Sequence, residues 1–222
     1  TAEKNFFHIS FISGLRLFRS CFSKKTREVY RHIDLLLPTG CSVSWAARRH
    51  RQPLAARFAA IDIMMDLIRA AIAGKRTVFF LGSTQDILNL AVEKLRQSFP
   101  ELKIIGSHHG FFGPKRGKDI VEAVKKFSPD YLFVGLGHPS QDRWLRENHK
   151  HFSGTTCVSV GNAFDLCAGI KKRGSVWFRK HGLEGMYKAF QNPLRFWRLL
   201  PLPFFIIRIL WDTLILKKGR KQ

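Results

Sequence analysis

Thr77-Val-Phe-Phe-Leu-Gly82 is a short apolar run closed by glycine, and the pattern returns at Tyr131-Leu-Phe-Val-Gly-Leu-Gly137 and Thr155-Thr-Cys-Val-Ser-Val-Gly161. Such runs are typical of buried strands followed by tight turns. Lys103-Ile-Ile-Gly106 is a shorter run of the same kind, and amphipathic stretches separate the four. Strands that alternate with helices at this spacing form βαβ units. The sequence therefore predicts an α/β fold with an open, mostly parallel, Rossmann-like sheet and helices on both faces.

The flanking regions divide the chain into two predicted parts. Residues 27–36 indicate a helix that runs into a short strand, and Leu54 to Ile72 has the pattern of one long helix. After Gly169 the pattern is wholly helical. We therefore predict an α/β core over residues 1–172 and a helical appendage over residues 173–222.

Positive charge is concentrated near the end of the chain. The net charge is +22, and the 52 residues after Ile170 hold 13 basic residues but only two acidic ones, Glu184 and Asp212. The apolar run Phe204 to Leu216 would form a helix of about 20 Å, too short for a hydrocarbon core of about 30 Å. Basic and apolar side chains together favour an appendage that lies on an anionic membrane surface. A nucleic-acid face and a last core helix with a solvated basic tail are the alternatives.

Glycine follows each predicted strand, at Gly82, Gly106, Gly137 and Gly161. Open parallel sheets bind ligands at the carboxyl ends of their strands, where glycine lets backbone amides approach a diphosphate. The sequence has neither G-x-G-x-x-G at these turns nor a P-loop lysine, so the signal is generic. The same glycines equally suit plain turn geometry.

The four cysteines show no zinc spacing, since there is no C-x-x-C pair. They indicate reduced thiols in a cytoplasmic protein, and we expect them to be buried.

Several motifs resemble one family of bacterial enzymes. Val134-Gly-Leu-Gly-His-Pro-Ser-Gln-Asp142 resembles the V-G-L-G-x-P-x-Q-E signature of the WecG/TagA/CpsF glycosyltransferases, and Ser159-Val-Gly-Asn-Ala-Phe-Asp165 resembles the segment that follows it. Gly182-Leu-Glu184, Tyr187 and a later Pro-x-Arg-x-x-Arg also match. The matches keep their order and spacing from about residue 29 to residue 198.

The resemblance implies a UDP-sugar-dependent hexosyltransferase. It implies transfer of an N-acetylmannosaminyl-type sugar or a related hexose to a polyprenyl-diphosphate-linked acceptor in cell-surface polysaccharide synthesis. The enzyme would work as a peripheral protein on the inner face of the bacterial cytoplasmic membrane. No metal or other cofactor and no nucleic acid are expected, and association into a homo-oligomer is possible.

The resemblance also implies a binding site. Gln141 and Asp165 would lie in the donor pocket, Phe111 would stack on uracil, and Arg57 would contact the departing diphosphate. For Asp165 the alternative is a helix cap, and for Arg57 a surface charge. The remaining substrate-binding positions implied by the family pattern are Ser13, Gly82, Gly110, Gly137, Gly161, Asn162, Lys188, Arg195 and Arg198.

The catalytic positions depart from the family pattern. Thr39 stands where the family carries its catalytic Asp, and a hydroxyl binds protons too weakly to act as a base at neutral pH. Asp62 and Asp34 are the candidate replacements. Three hypotheses follow: an active transferase, a catalytically eroded nucleotide-sugar-binding relative that acts as a membrane partner or regulator, and a nucleic-acid-binding protein.

Overall fold

The computed structural model describes residues 6–54, 56–171, 174 and 201–218 of the chain. Its centre is an all-parallel sheet of six strands in the order β2-β1-β6-β5-β3-β4. The strands are β1 (Phe7–Ile12), β2 (Leu35–Pro38), β3 (Thr77–Gly82), β4 (Lys103–His108), β5 (Tyr131–Gly135) and β6 (Thr156–Ser159). The predicted α/β fold with an open parallel sheet is confirmed.

Helices connect the strands along the chain. They are α1 (Gly14–Phe22), α2 (Lys24–Arg31), α3 (Cys41–Arg49), α4 (Ala60–Ala73), α5 (Gln85–Ser98), α6 (Pro114–Phe127), α7 (Ser140–Asn148), α8 (Ala163–Cys167) and α9 (Pro201–Lys218). The long helix expected from Leu54 begins only at Ala60. The predicted apolar run from Phe204 lies within α9.

The core lies along the middle strands. β3 pairs with both β4 and β5, and Phe80 stands opposite Phe133 in the register. Their rings stack with centroids 5.6 Å apart, and both side chains are fully buried. Burial of one such side chain contributes about 1.5–3 kcal/mol, so the apolar runs that predict the strands also hold them together.

β1 is a strand that the sequence patterns did not predict. It pairs in parallel with β6, and every residue after Phe7 is buried. His8 and Ser10 are buried although they are polar. Their hydrogen bonds reach residues far along the chain, which hydropathy patterns cannot show.

The chain forms two compact units. Among the described residues, unit 1 contains residues 6–10, 28–36 and 60–171, and unit 2 contains residues 11–27, 37–54, 56–59, 174 and 201–218. In unit 2, α1 contacts both α3 and α9. The boundary predicted between residues 172 and 173 lies outside the described residues and stays a prediction.

None of the helices in the described part of the chain has the length and apolar character needed to cross a membrane. All four cysteines are free thiols. Cys157 is buried as expected, whereas Cys21 is exposed. Burial raises the pKa of Cys167 to about 11, so this thiol stays protonated at neutral pH.

Candidate active site at the carboxyl edge of the sheet

Two glycines bring the ends of neighbouring strands into contact. Gly82 has a φ of +142°, and a Cβ added there would lie 2.5 Å from the backbone of Gly135. Gly135 in turn would place a Cβ 2.7 Å from the ring of Phe164. Contacts under 3 Å cannot be accommodated when they involve backbone, so any larger residue at Gly82 would separate β3 from β5.

Two other glycines leave open space at the same edge. Gly137 and Gly161 have φ angles of +78° and +58°, a backbone conformation that favours glycine. A Cβ at either position would meet nothing within 4 Å. Their conformation serves the turns, and the space beside them leaves the backbone accessible to a ligand.

The loop after β4 carries the predicted uracil contact. Phe111 is 73% exposed, so one face of its ring is available for stacking. The backbone amide of Gly110 donates to the Ser83 carbonyl at 2.8 Å, which fixes this loop to the end of β3. A Cβ at Gly110 would lie 2.8 Å from the Leu136 side chain, so the loop packs closely against the β5 turn.

Gln141 lies at the start of α7 and is 1% exposed. Its side-chain oxygen accepts a hydrogen bond of 3.2 Å from the amide of Gly161. Through this hydrogen bond, Gln141 joins the turn after β5 to the turn after β6.

Asp142 is the centre of a buried polar network. Its Oδ1 accepts hydrogen bonds from the hydroxyls of Ser10 at 2.7 Å and Ser159 at 2.6 Å. Its Oδ2 lies 3.0 Å from His138 Nδ1. His8 Nε2 lies 3.0 Å from the Ser159 hydroxyl and 3.5 Å from Asp142 Oδ1. The ends of β1, β6 and β5 thus converge on one carboxylate.

The carboxylate form of Asp142 is strongly favoured. Burial alone would raise the pKa of this carboxyl, but hydrogen bonds from His138, His8, Ser159 and Ser10 outweigh burial and hold the pKa well below its ordinary value. Asp142 is therefore a negative charge inside unit 1 at neutral pH.

Asp165 connects three segments of unit 1. Its side chain accepts a hydrogen bond of 3.0 Å from the Ser83 hydroxyl and forms an ion pair with Lys171. Asn162 occupies the N-cap position of α8 without a side-chain capping bond, and Asp165 lies in the first turn of that helix. Asp165 is therefore not the N-cap residue of α8, which was the alternative role.

The predicted catalytic positions are divided between the units. Thr39, Arg57 and Ser13 lie in unit 2, where the Thr39 amide donates to the Ile12 carbonyl at 2.8 Å and Ser13 is the N-cap residue of α1. Asp62 lies exposed in the first turn of α4 in unit 1. Asp34 accepts a 2.7 Å hydrogen bond from the His8 amide. Lys188, Arg195 and Arg198 lie outside the described residues.

Comparison with known proteins identifies the family. The sequence model of the glycosyl transferase WecG/TagA/CpsF family matches residues 1–219. The chain belongs to this family. It is 32% identical over 193 residues to the N-acetylglucosaminyldiphosphoundecaprenol N-acetyl-beta-D-mannosaminyltransferases of Staphylococcus aureus strains MW2 and NCTC 8325, and 31% identical to that of strain MRSA252. Each alignment covers 87% of this chain and 75% of the relative.

Family membership makes the protein a glycosyltransferase, and it does not favour the eroded relative or the nucleic-acid binder. Across the described residues of this glycosyltransferase, no three His, Cys, Asp or Glu side chains are grouped as metal ligands would be.

Sequence reasoning missed four polar residues of the network around Asp142. They are His8, Ser10, Tyr30 and His138. His138 follows the open Gly137 within the family signature, which was the one signal that could have drawn attention to it. The other three are far from Asp142 in the sequence. The parallel pairing of β1 with β6 reveals the proximity of His8 and Ser10, and the hydrogen bond to His138 reveals that of Tyr30.

Proposed function

We propose that this glycosyltransferase moves an N-acetylmannosaminyl-type residue from a UDP-sugar to a polyprenyl-diphosphate-linked acceptor in bacterial cell-surface polysaccharide synthesis. Its relatives carry the name of such a transferase, and the alignment covers most of both chains. The observation that carries the donor site is the open backbone at Gly137 and Gly161, where parallel strands end. Accessible backbone at this edge suits a diphosphate, because amide groups can approach its oxygens closely.

The proposal assigns the uracil to Phe111 and the leaving diphosphate to cationic side chains. The exposed ring of Phe111 offers a stacking surface. A departing UDP carries negative charge that an arginine such as Arg57 stabilises through paired hydrogen bonds. The proposal includes no metal cofactor, and the transferase rate should therefore be unchanged by EDTA.

Unit 2 supports a peripheral location on the inner face of the membrane. Four large apolar side chains of α1 and α9 are more than half exposed: Phe22, Phe204, Ile207 and Trp211. Phe18 links the two helices, since its ring packs edge-on against both Phe22 and Phe205. Residues 11–27 and 37–59 hold nine basic residues and no acidic one. Apolar side chains beside cations suit an anionic lipid surface, where the acceptor would be held.

The decisive experiment is turnover. The purified protein, UDP-N-acetylmannosamine and a lipid-linked N-acetylglucosamine diphosphate acceptor are mixed with anionic vesicles, and release of UDP is measured together with the glycosylated lipid. We expect coupled formation of both products. Saturable UDP binding without turnover would instead favour the eroded relative. Association of copies is part of the proposal and is measured by light scattering.

Binding of nucleic acid tests the third hypothesis. A nucleic-acid binder would show duplex or single-strand affinity that falls steeply with salt and would lack a saturable UDP site. Such affinity together with the absence of a saturable UDP site would overturn the proposed transferase.

A further inference from the structure

Tyr30, His138 and Asp142 form a line of hydrogen-bonded side chains in unit 1. The Tyr30 hydroxyl lies 3.0 Å from His138 Nε2, and His138 Nδ1 lies 3.0 Å from Asp142 Oδ2. The planes of the Tyr30 and His138 rings are nearly parallel, with an angle of 6° between them and centroids 5.7 Å apart. Asp142 is fully buried, whereas the His138 side chain is 15% exposed.

The protonation states along this line follow from Asp142. Because Asp142 is an ionised carboxylate, it only accepts hydrogen bonds, so His138 Nδ1 must carry the proton that is donated to it. In neutral imidazole the other nitrogen then has a free lone pair. Nε2 of His138 therefore accepts the proton of the Tyr30 hydroxyl. A carboxylate placed behind an imidazole in this way fixes its tautomer and stabilises the imidazolium that forms when Nε2 gains a proton.

We propose that Tyr30, His138 and Asp142 are a proton relay that supplies the general base that Thr39 cannot provide. The inference rests on the proposed transferase function. Tyr30 is the catalytic residue that contacts the acceptor hydroxyl, and His138 and Asp142 act through it as positioning residues. His138 directly follows Gly137, so the relay begins at the open edge assigned to the donor.

Bond formation and bond cleavage both take place at the anomeric carbon of the sugar. The acceptor oxygen forms a bond to the anomeric carbon of the sugar while the bond from that carbon to the UDP oxygen breaks, and its electron pair leaves with UDP. The acceptor proton moves to the Tyr30 oxygen as the Tyr30 proton moves to His138 Nε2. The resulting imidazolium is paired with the Asp142 carboxylate and later returns a proton to solvent.

His138 completes the hydrogen bonds of the buried Asp142 carboxylate. Two serine hydroxyls donate to Oδ1, and His138 Nδ1 is the partner of Oδ2. His138 is also the partly exposed member of its pair with Asp142, so the line of hydrogen bonds leads from the buried carboxylate toward solvent.

The test compares Tyr30→Phe and His138→Gln with the matched controls Tyr131→Phe and His151→Gln. Tyr30→Phe keeps the ring and removes only the hydroxyl, so it should remain folded. We expect kcat to fall by roughly 10²–10⁴-fold in both relay variants, with little change in KM for the UDP-sugar and in UDP affinity. A purely structural role of His138 would instead raise KM and weaken UDP affinity together with the fall in kcat.

Three outcomes would overturn the relay, and only the third would also overturn the transferase. If wild-type protein turns over but kcat in Tyr30→Phe equals that of Tyr131→Phe, the relay is overturned and the transferase stands. If kcat falls in His138→Gln together with UDP affinity, His138 has a structural role and the relay is again overturned. A wild-type protein that binds UDP without turnover would overturn the transferase and the relay together.

Discussion

Asp142 shows how a single buried carboxylate organises the end of a parallel sheet. It receives hydrogen bonds from side chains of β1, β6 and the turn between β5 and α7. A buried charge is tolerated only when such bonds replace the lost water. The cost of removing the charge is therefore a measure of how strongly the network holds the three segments together.

Asp142→Asn should lower the free energy of unfolding at pH 7 by about 1–3 kcal/mol, because an amide accepts weaker hydrogen bonds than a carboxylate. The pKa of Asp142 is lower in the folded than in the unfolded state, so its stabilisation is present above the unfolded pKa. That stabilisation is lost as the pH falls below about 4. Urea unfolding between pH 3 and 7 should show a smaller loss in the variant than in wild type. The exposed Asp119→Asn is the control, and equal pH dependence in all three proteins would contradict the network.

Thr39→Asp tests whether the family position of the base is still used. If the relay supplies the base, the substitution should change kcat by less than about tenfold, or 1.4 kcal/mol in activation free energy. Thr39→Asn is the control, because it has the same shape as the aspartate without its charge. A rise of roughly 10²-fold or more in Thr39→Asp alone would show that a base is simply missing from that position.

At the scale of elements, the strand ends and their turns carry the proposed donor site. The glycines there have different structural effects. Gly82 allows β3 to approach β5 closely, whereas Gly137 leaves open space beside its backbone. An alanine at Gly82 would meet backbone at 2.5 Å, so it disrupts the sheet, whereas an alanine at Gly137 meets no atom.

Gly137→Ala should therefore fold with a loss of about 1–2 kcal/mol from the left-handed backbone and yet weaken UDP binding, since its methyl group enters the open space. Calorimetric titration with UDP measures the affinity, and urea unfolding measures the stability. Gly154→Ala is matched to it in backbone angle, with a φ of +81°, and lies before β6 rather than after a strand. UDP affinity that is equal in the two variants would remove Gly137 from the donor site.

Helices α1 and α9 carry the most exposed of the large apolar side chains described in unit 2. Trp211→Ser and Phe22→Ser should each weaken association with anionic vesicles by roughly ten- to a hundredfold, because burial of such a side chain contributes about 1.5–3 kcal/mol. Cosedimentation with vesicles measures the effect. Phe127→Ser, at an exposed phenylalanine of α6 in unit 1, should bind like wild type. Equal binding by all variants would contradict the membrane proposal.

At the scale of the whole molecule, charge and ligand binding are the informative properties. Most Asp and Glu residues of the chain lie in unit 1, whereas residues 11–27 and 37–59 of unit 2 have none. The net charge of +22 is therefore unevenly distributed, and screening by salt should weaken any interaction with anionic lipid.

A bound nucleotide should stabilise the folded protein. UDP at a hundred times its dissociation constant should add about 2.7 kcal/mol to the free energy of unfolding, because only the folded state offers the site. Thermal melting with and without UDP measures the shift, and excess EDTA should leave it unchanged. An unchanged melting temperature would contradict the UDP site, and a shift abolished by EDTA would contradict binding without metal.

The sequence predicted the four strands β3 to β6 because their signals are local. An apolar run closed by glycine, such as Thr77 to Gly82, specifies burial and a turn within a few neighbouring residues. The family signature around Gln141 and Asp142 also indicated which part of the chain carries the proposed site. α4 was expected to begin at Leu54 but begins at Ala60, since the periodicity of apolar residues does not mark a helix start precisely.

Tertiary structure alone decided what surrounds Asp142. β1 escaped prediction because His8 and Ser10 break the apolar pattern, and their burial becomes favourable only when Ser159 and Asp142 supply hydrogen bonds. Tyr30 and His138 are likewise 108 positions apart in the chain. The amino-acid sequence determines such contacts, but local patterns do not encode them, because parallel pairing brings distant strand ends to one edge of the sheet.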